Sequence, residues 1–163
     1  MLAENIAFGI LAAIMVVAGF RLVTTKNVVR AALYLAVVLA GVAGQFILLT
    51  AEFVAWVQVL VYIGAVIVLL LFGVMLTRAP IGKEGTLDND QRWLAALVAL
   101  ALMGALVGVL GDAFGEQKIK FGEVQRTSQV SDALFGPYVV PFEVSSVLLL
   151  AALVGAVAIA RRD

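Results

Sequence analysis

Five stretches of predominantly apolar residues dominate this sequence, each close to the roughly 20 residues that a helix needs to cross a bilayer. They cover approximately residues 5–23, 28–49, 53–76, 93–111 and 142–160. Charged residues make up only 13% of the 163 residues, against about 25% in soluble domains. The sequence therefore predicts an all-α integral membrane protein with five transmembrane helices, one membrane domain over residues 1–163 and an outer loop at approximately residues 112–140. Its three prolines, Pro80, Pro137 and Pro141, lie outside the predicted helices, where their missing N–H costs nothing.

The basic residues predict the orientation, because cytoplasmic loops of membrane proteins are enriched in Lys and Arg. Eight of the 11 basic residues lie on one side of the predicted membrane: Arg21, Lys26, Arg30, Arg78, Lys83, Arg92, Arg161 and Arg162. The opposite side has only three, all in the outer loop: Lys118, Lys120 and Arg126. We therefore expect the N-terminus outside and the C-terminus in the cytoplasm. The first span should be retained, because Glu4 is the only charge before it and a signal peptide begins with positive charge.

The chain contains no His and no Cys, which restricts its chemistry. It cannot supply a thiol nucleophile, an imidazole base, a His ligand to haem, or the usual ligands of zinc and iron–sulfur clusters. Its 11 basic residues balance its 11 acidic residues, so no net positive field indicates nucleic-acid binding. We expect no catalytic residue, cofactor site or metal site in this chain, with the lipid bilayer as a partner and no nucleic acid.

Small residues recur at intervals of four on three predicted helices. They are Ala36, Ala40 and Gly44 on the second, Gly104 and Gly108 on the fourth, and Ala152, Ala156 and Ala160 on the fifth. This spacing lets helix backbones approach closely in lipid. The stripes indicate either packing among the helices of this chain or packing against other subunits of a larger membrane complex.

The third predicted helix contains the most informative polar residues. Gln58 and Tyr62 are four residues apart and would share a face of an α-helix. Gly64 follows beside a β-branched run, and a glycine lowers the cost of a local departure from α-helical geometry. One-turn π-bulges are such departures, and they are frequent at functional sites. The alternative is that Gln58 and Tyr62 bond to a neighbouring helix and that Gly64 permits close packing.

The connections between the predicted helices differ greatly in length. Residues 50–52 form a tight link between the second and third helices, whereas the outer loop has room for its own structure, including a short strand at residues 119–121. Glu143 is expected in the first turn of the fifth helix, where the helix dipole favours an acid. Alternatively, its carboxylate is directed toward a partner subunit or a proton path. Ser145 and Ser146 are expected to bond to backbone or to neighbouring helices.

Three segments mix polar and small residues in a specific order within apolar runs: residues 58–76, residues 134–143 with the run from Ser146 onward, and residues 27–34. They closely resemble the third helix, the entry into the fifth helix and the start of the second helix in subunit J of the bacterial NADH:quinone oxidoreductases (respiratory complex I). This family includes mitochondrial chain 6 and the cyanobacterial and plastid G subunit. Its members have five helices, an outside N-terminus and a cytoplasmic C-terminus, and the resemblance covers nearly the whole chain.

The resemblance implies a membrane-arm subunit in the bacterial inner membrane, part of an enzyme although this chain itself carries no redox site. Its partners would be subunits H, A and K and the antiporter-like subunits. FMN, the iron–sulfur clusters and the quinone would be held by other subunits. It also implies a π-bulge near Tyr62 and Gly64 that converts between α and π forms, opening a water path from the quinone region to buried carboxylates. Some members have glutamate where this chain has Gln58, so a hydrogen-bonding role is expected here rather than proton relay.

Two other functions compete with this interpretation. A small secondary transporter should have buried titratable residues or paired broken helices, and neither is evident in the sequence. A passive membrane scaffold or assembly subunit is compatible with the small-residue stripes. The residues do not choose among NADH, ferredoxin and another reductant as the electron donor.

Overall fold

The computed structural model describes residues 2–77, 91–115 and 126–161, and in these ranges the ordered elements are all helical. The helices are α1 (Leu2–Thr24), α2 (Val28–Leu48), α3 (Glu52–Val57), a π-helix (Gln58–Ile67), α4 (Val68–Leu76), α5 (Arg92–Phe114), α6 (Thr127–Leu134) and α7 (Val139–Ala160). We call the continuous run Glu52–Leu76 the third span. Five helices in the described ranges are long and apolar enough to cross a membrane, which confirms the predicted count. The orientation of the termini stays a prediction.

Helix α2 is the centre of the packed part of the molecule, with α1 on one side and the third span on the other. A side chain at Gly41 would overlap Met15 of α1, and one at Gly44 would come within 2.9 Å of a Leu11 methyl group. The two glycines therefore allow α1 and α2 to approach closely. Asn27 begins α2, because its side-chain Oδ1 accepts a hydrogen bond of 3.0 Å from the backbone N–H of Arg30, as an N-cap does.

The short turn between α2 and the third span forces one residue into an unusual conformation. Thr50 has a φ of 60° and is the one non-glycine residue with positive φ in the described ranges. The N–H of Thr50 donates to the carbonyl of Ile47, and the N–H of Ala51 donates to that of Phe46. This is the Schellman arrangement that ends many helices, usually with glycine in the left-handed position.

Helices α5, α6 and α7 are much less enclosed by the chain. In the described ranges α5 has no contact with another helix, and neither α5 nor α7 has a buried residue in its membrane-spanning window. The short helix α6 contacts both α3 and α7. The rings of Phe135 and Phe142 meet edge to face at 5.4 Å, which holds the segment after α6 against the start of α7.

The region predicted as an outer loop at residues 112–140 is more helical than expected. Helix α5 continues to Phe114, α6 occupies part of the connection, and α7 begins at Val139. The expectation that Pro141 lies outside the helix was wrong, because Pro141 stands in the first turn of α7, where backbone N–H groups have no intrahelical partner. The predicted strand at residues 119–121 lies outside the described residues.

Candidate functional site in the third span

The third span is not an α-helix throughout. Between the α-helical ends, the backbone is π-helical over Gln58–Ile67, with the i→i+5 hydrogen bonding that defines this form. The segment is longer than the single-turn bulge expected around Tyr62 and Gly64, but it includes both residues. No proline interrupts it. Proline therefore does not cause the departure from α-helical geometry. Gly64 is the residue of this apolar segment whose backbone dihedral angles are least restricted.

The π-helix determines which residues of the third span face α2. Gln58 and Ile67 are 8% and 4% exposed, and α2 is the helix that packs against this segment in the described part of the chain. Ile67 follows Gln58 by nine positions. Nine residues make about 2.5 turns of α-helix and would place the two side chains on opposite sides. They make roughly two turns of π-helix, so both side chains can lie against α2.

Gln58 and Tyr62 differ in exposure although they were expected on one face. Gln58 is buried against α2, whereas Tyr62 is 47% exposed. Among the described residues, neither the Gln58 amide nor the Tyr62 hydroxyl makes a side-chain hydrogen bond. No fully buried side-chain nitrogen or oxygen in the same ranges lacks a partner, so the polar atoms of Gln58 reach its small exposed surface. Both groups can therefore bond to partners outside this chain. Without such partners, an unpaired amide or hydroxyl in a membrane would be costly.

Gly64 does not serve close packing within the described chain. It is exposed, and an added Cβ would meet only the carbonyl oxygen of Val59, at 3.5 Å. That is an ordinary van der Waals distance, so a side chain would fit. The structural consequence of this glycine is therefore backbone freedom within the π-helix rather than room for a neighbouring helix.

Glu143 lies beyond the position expected from the sequence. Because α7 begins at Val139, Glu143 is in the second turn, and α7 has no acid in its first turn. The expected stabilisation by the helix dipole, which acts mainly in the first turn, does not apply. Its side chain is exposed. The two serines that follow bond to backbone, as one of the predicted alternatives stated: the hydroxyls of Ser145 and Ser146 donate to the carbonyls of Pro141 and Phe142 at 2.8 and 3.1 Å.

The small-residue stripes have different surroundings. On α2, Gly44 contacts Leu11, Ala36 is half-buried and Ala40 is exposed. Sequence reasoning missed Gly41 and Ala43, which are buried. The available signal was the mixture of Ala and Gly at residues 40–44, which offers small residues on several faces at once. A Cβ added at Gly104 or Gly108 would have no described atom within 4 Å, and Ala152, Ala156 and Ala160 are exposed.

Comparison with known proteins identifies the family. The family described as NADH-ubiquinone/plastoquinone oxidoreductase chain 6 matches residues 18–159. The chain belongs to this chain 6 family. It is 41% identical to F(420)H(2) dehydrogenase subunit J of Methanosarcina mazei, over 98% of this chain and 92% of that protein. It is 39% identical to NAD(P)H-quinone oxidoreductase chain 6 of Synechocystis, over 98% and 82%. It is 35% identical to NADH-quinone oxidoreductase subunit J of Escherichia coli, over 96% and 86%.

The predicted resemblance to the subunit J and chain 6 family is thus confirmed over nearly the whole chain. Each of these chain 6 relatives is named as a subunit or chain of a dehydrogenase or quinone oxidoreductase. Their names contain different reductants: F(420)H(2) in one, and NAD(P)H or NADH in the others. Membership in the chain 6 family, together with the five apolar helices, indicates a multi-pass membrane subunit of this class of enzyme complex and does not by itself select the reductant.

Proposed function

We propose that this chain is a membrane-arm subunit of a proton-translocating quinone oxidoreductase in the bacterial inner membrane, and that its third span couples quinone reduction to proton movement. The observation that carries this proposal is the π-helix Gln58–Ile67 in the middle of a membrane-spanning helix. π-helical segments are rare in proteins overall, and those that occur are often located at functional sites. A segment with two helical forms of similar free energy is the kind of bistable element that coupling requires.

Conversion of the π-helix to an α-helix would rotate one half of the third span against the other. Over the nine steps from Gln58 to Ile67 the two forms differ by about half a turn. With α3 held in the hairpin, α4 would rotate by that amount and Ile67 would leave α2. Tyr62 is nearer to the fixed end and would turn through a smaller angle. The rotation therefore exchanges the residues that face α2 for residues that face outward.

The polar groups of the segment give this rotation a chemical consequence. Tyr62 is half-exposed, and its hydroxyl can donate to or accept from a water or a group on a neighbouring subunit. Turning it would complete or interrupt a water path between the quinone region and buried carboxylates of subunit K and the antiporter-like subunits. Gln58 acts as a hydrogen-bonding group, because its amide does not titrate. Glu143, exposed on α7, is a second candidate for a group on a proton path.

The redox groups belong to other subunits in this proposal. A chain without His or Cys lacks the usual ligands of haem and iron–sulfur clusters, so FMN, the clusters and the quinone are assigned to its partners. The uncovered surfaces of α5 and α7 support packing against other membrane subunits. We assign that packing to subunits H, A and K and to the antiporter-like subunits.

A passive scaffold is the second candidate, and the specific observation in its favour is α5. This helix has no contact with the other described helices, and in a scaffold its whole surface is free to hold neighbouring subunits together. No comparable observation favours a small secondary transporter, because residues 53–76 contain no acid or basic side chain in the sequence.

Replacing Gly64 with Val separates the coupling role from the scaffold role. The added side chain fits sterically but restricts the backbone dihedrals, and we expect quinone reductase and proton-pumping rates to fall roughly two- to fivefold, as a propensity change below about 1 kcal/mol would produce. Gly73→Val is the matched control, since Gly73 lies in the α-helical part of the same span and has no described neighbour within 4 Å. Normal rates in an assembled Gly64→Val complex would leave the scaffold as the better account.

A further inference from the structure

A groove of about 470 Å³ lies beside the turn between α2 and the third span and reaches the first residues of the π-helix. It is lined by Ile47, Glu52, Ala55, Trp56 and Val59. This volume is within the range of small-molecule sites. Glu52 and Trp56 are four residues apart on α3, so their side chains stand on the same side of the helix. The groove therefore has one carboxylate and one indole ring at its polar end and aliphatic side chains along the rest.

The position of the groove relative to the membrane follows from the span itself. The apolar span begins at Glu52, directly after the turn, which places the Glu52 carboxylate at the level of the lipid headgroups. Trp56 is 65% exposed and lies one turn deeper, in the interfacial region that Trp prefers. Val59 is about two turns along the span from Glu52 and continues toward the hydrocarbon region, whereas Ile47, one residue before the end of α2, lies near the level of the turn.

The charge of the groove is negative. The C-terminal end of α2, with its partial negative charge, meets the N-terminal end of α3, with its partial positive charge, at this turn. The two partial charges largely cancel, so the carboxylate of Glu52 dominates the local electrostatic field. Among the described residues no cation pairs with Glu52. A carboxylate beside an exposed indole face recognises an organic ammonium group, through charge-assisted hydrogen bonds to the carboxylate and a cation–π contact with the ring.

We propose that this groove binds the ammonium headgroup of a phospholipid, with the first part of an acyl chain against Val59. The ammonium complements Glu52 and Trp56, and the aliphatic walls complement a hydrocarbon chain at the depth where a lipid places it. A basic side chain of a neighbouring protein would match the carboxylate but would leave the aliphatic walls without a matching group. Except for Val59, the lining residues lie outside the π-helix, and the proposal does not depend on the coupling role.

A headgroup series on the wild-type protein tests the proposal without any substitution. The protein, extracted with its associated subunits, is depleted of lipid and reconstituted into nanodiscs of phosphatidylglycerol that contain increasing amounts of phosphatidylethanolamine or phosphatidylcholine. Native mass spectrometry then reports the bound lipid. We expect phosphatidylethanolamine to be retained roughly three- to tenfold more strongly than phosphatidylglycerol, with phosphatidylcholine between them because it keeps the cation but has no N–H donors. Equal retention of the three lipids would overturn the proposal.

Substitutions then locate the site. Glu52→Gln and Trp56→Leu should each remove most of the preference for phosphatidylethanolamine, and Trp56→Phe should keep part of it because Phe is a weaker cation–π partner. Asp112→Asn and Trp93→Leu are the controls, a carboxylate and an exposed indole on α5, and should change nothing. An unchanged preference in Glu52→Gln, or a basic side chain of another subunit seated against Glu52 in a structure of the assembly, would overturn the assignment.

Discussion

The close approach of α1 and α2 can be tested at Gly41. A Cβ at this position would lie 2.8 Å from the Met15 sulfur and closer still to Met15 Cγ. For Gly41→Ala, the flexible Met side chain can move aside, and the gain in helix propensity of about 1 kcal/mol offsets the cost, so we expect little net change. Gly41→Val adds two more methyl groups in a space already filled, and overpacking of this kind costs about 1–3 kcal/mol.

The assay is unfolding of the full chain in mixed detergent micelles with an increasing fraction of sodium dodecyl sulfate. The sequence contains no cysteine, so a fluorescent donor and acceptor can be attached to single engineered cysteines on α1 and α2, and energy transfer reports their separation. Gly9→Val, at a position with no described neighbour within 4 Å, is the matched control and should stay within about 0.5 kcal/mol of wild type.

A double-mutant cycle with Met15→Ala makes the prediction specific to this contact. If Met15 occupies the space, the Val substitution should cost at most about half as much in the Met15→Ala background, because residues in contact couple by roughly 0.5–3 kcal/mol. The reasoning is refuted if Gly41→Val is as stable as wild type, or if its cost is the same in both backgrounds.

Three further predictions concern single residues. Thr50→Gly should stabilise the α2–α3 turn by up to about 1 kcal/mol in the same micelle assay. Glycine removes the strain of about 1–2 kcal/mol that a side chain has in the left-handed conformation, but part of this gain is lost because glycine makes the unfolded chain more flexible. A loss of stability would show that Thr50 makes a compensating contact. Asn27→Ala should cost about 0.5–2 kcal/mol through the lost cap of α2, and Asn27→Ser should restore most of it, so equal losses in both variants would contradict the capping role. Tyr62→Phe should lower coupled proton pumping in the assembled complex while leaving its stability unchanged, and wild-type pumping would exclude a role for the hydroxyl.

The membrane architecture was predictable because apolar length is a direct physical requirement of the bilayer. Five runs of the right length sufficed to find five spans, with ends displaced by up to three residues, and one displacement has a specific cause. Pro141 illustrates this: proline is excluded from helix interiors, but the first turn of α7 tolerates it. That displacement also moved Glu143 from the first turn into the second, and with it the expected effect of the dipole.

The helix faces that pack together could not be predicted in the same way. Helix α2 contains small residues on several sides. The spacing rule selects Ala40, which has Ala36 and Gly44 four positions away, and passes over Gly41, which has Val37 and Gln45 there. The π-helix presents a related difficulty. Gly64 and its β-branched neighbours indicated where the backbone could depart from α-helical geometry, but the exposure of Tyr62 beside the buried Gln58 depends on how many residues adopt the wider turn. Side-chain patterns do not specify that number.

The central claim is that the third span rotates when the π-helix becomes α-helical, and Ile67 reports this directly. Ile67 is 4% exposed in the π form, whereas its neighbour Val68 is 58% exposed. In the complex, Ile67→Cys should react slowly with a membrane-permeant thiol reagent at rest and several-fold faster during quinone reduction. The control Val68→Cys should react rapidly in both states. Mass spectrometry of this subunit measures the extent of modification in each case. If Ile67→Cys stays equally protected at rest and during turnover, the third span does not rotate and the coupling account is wrong.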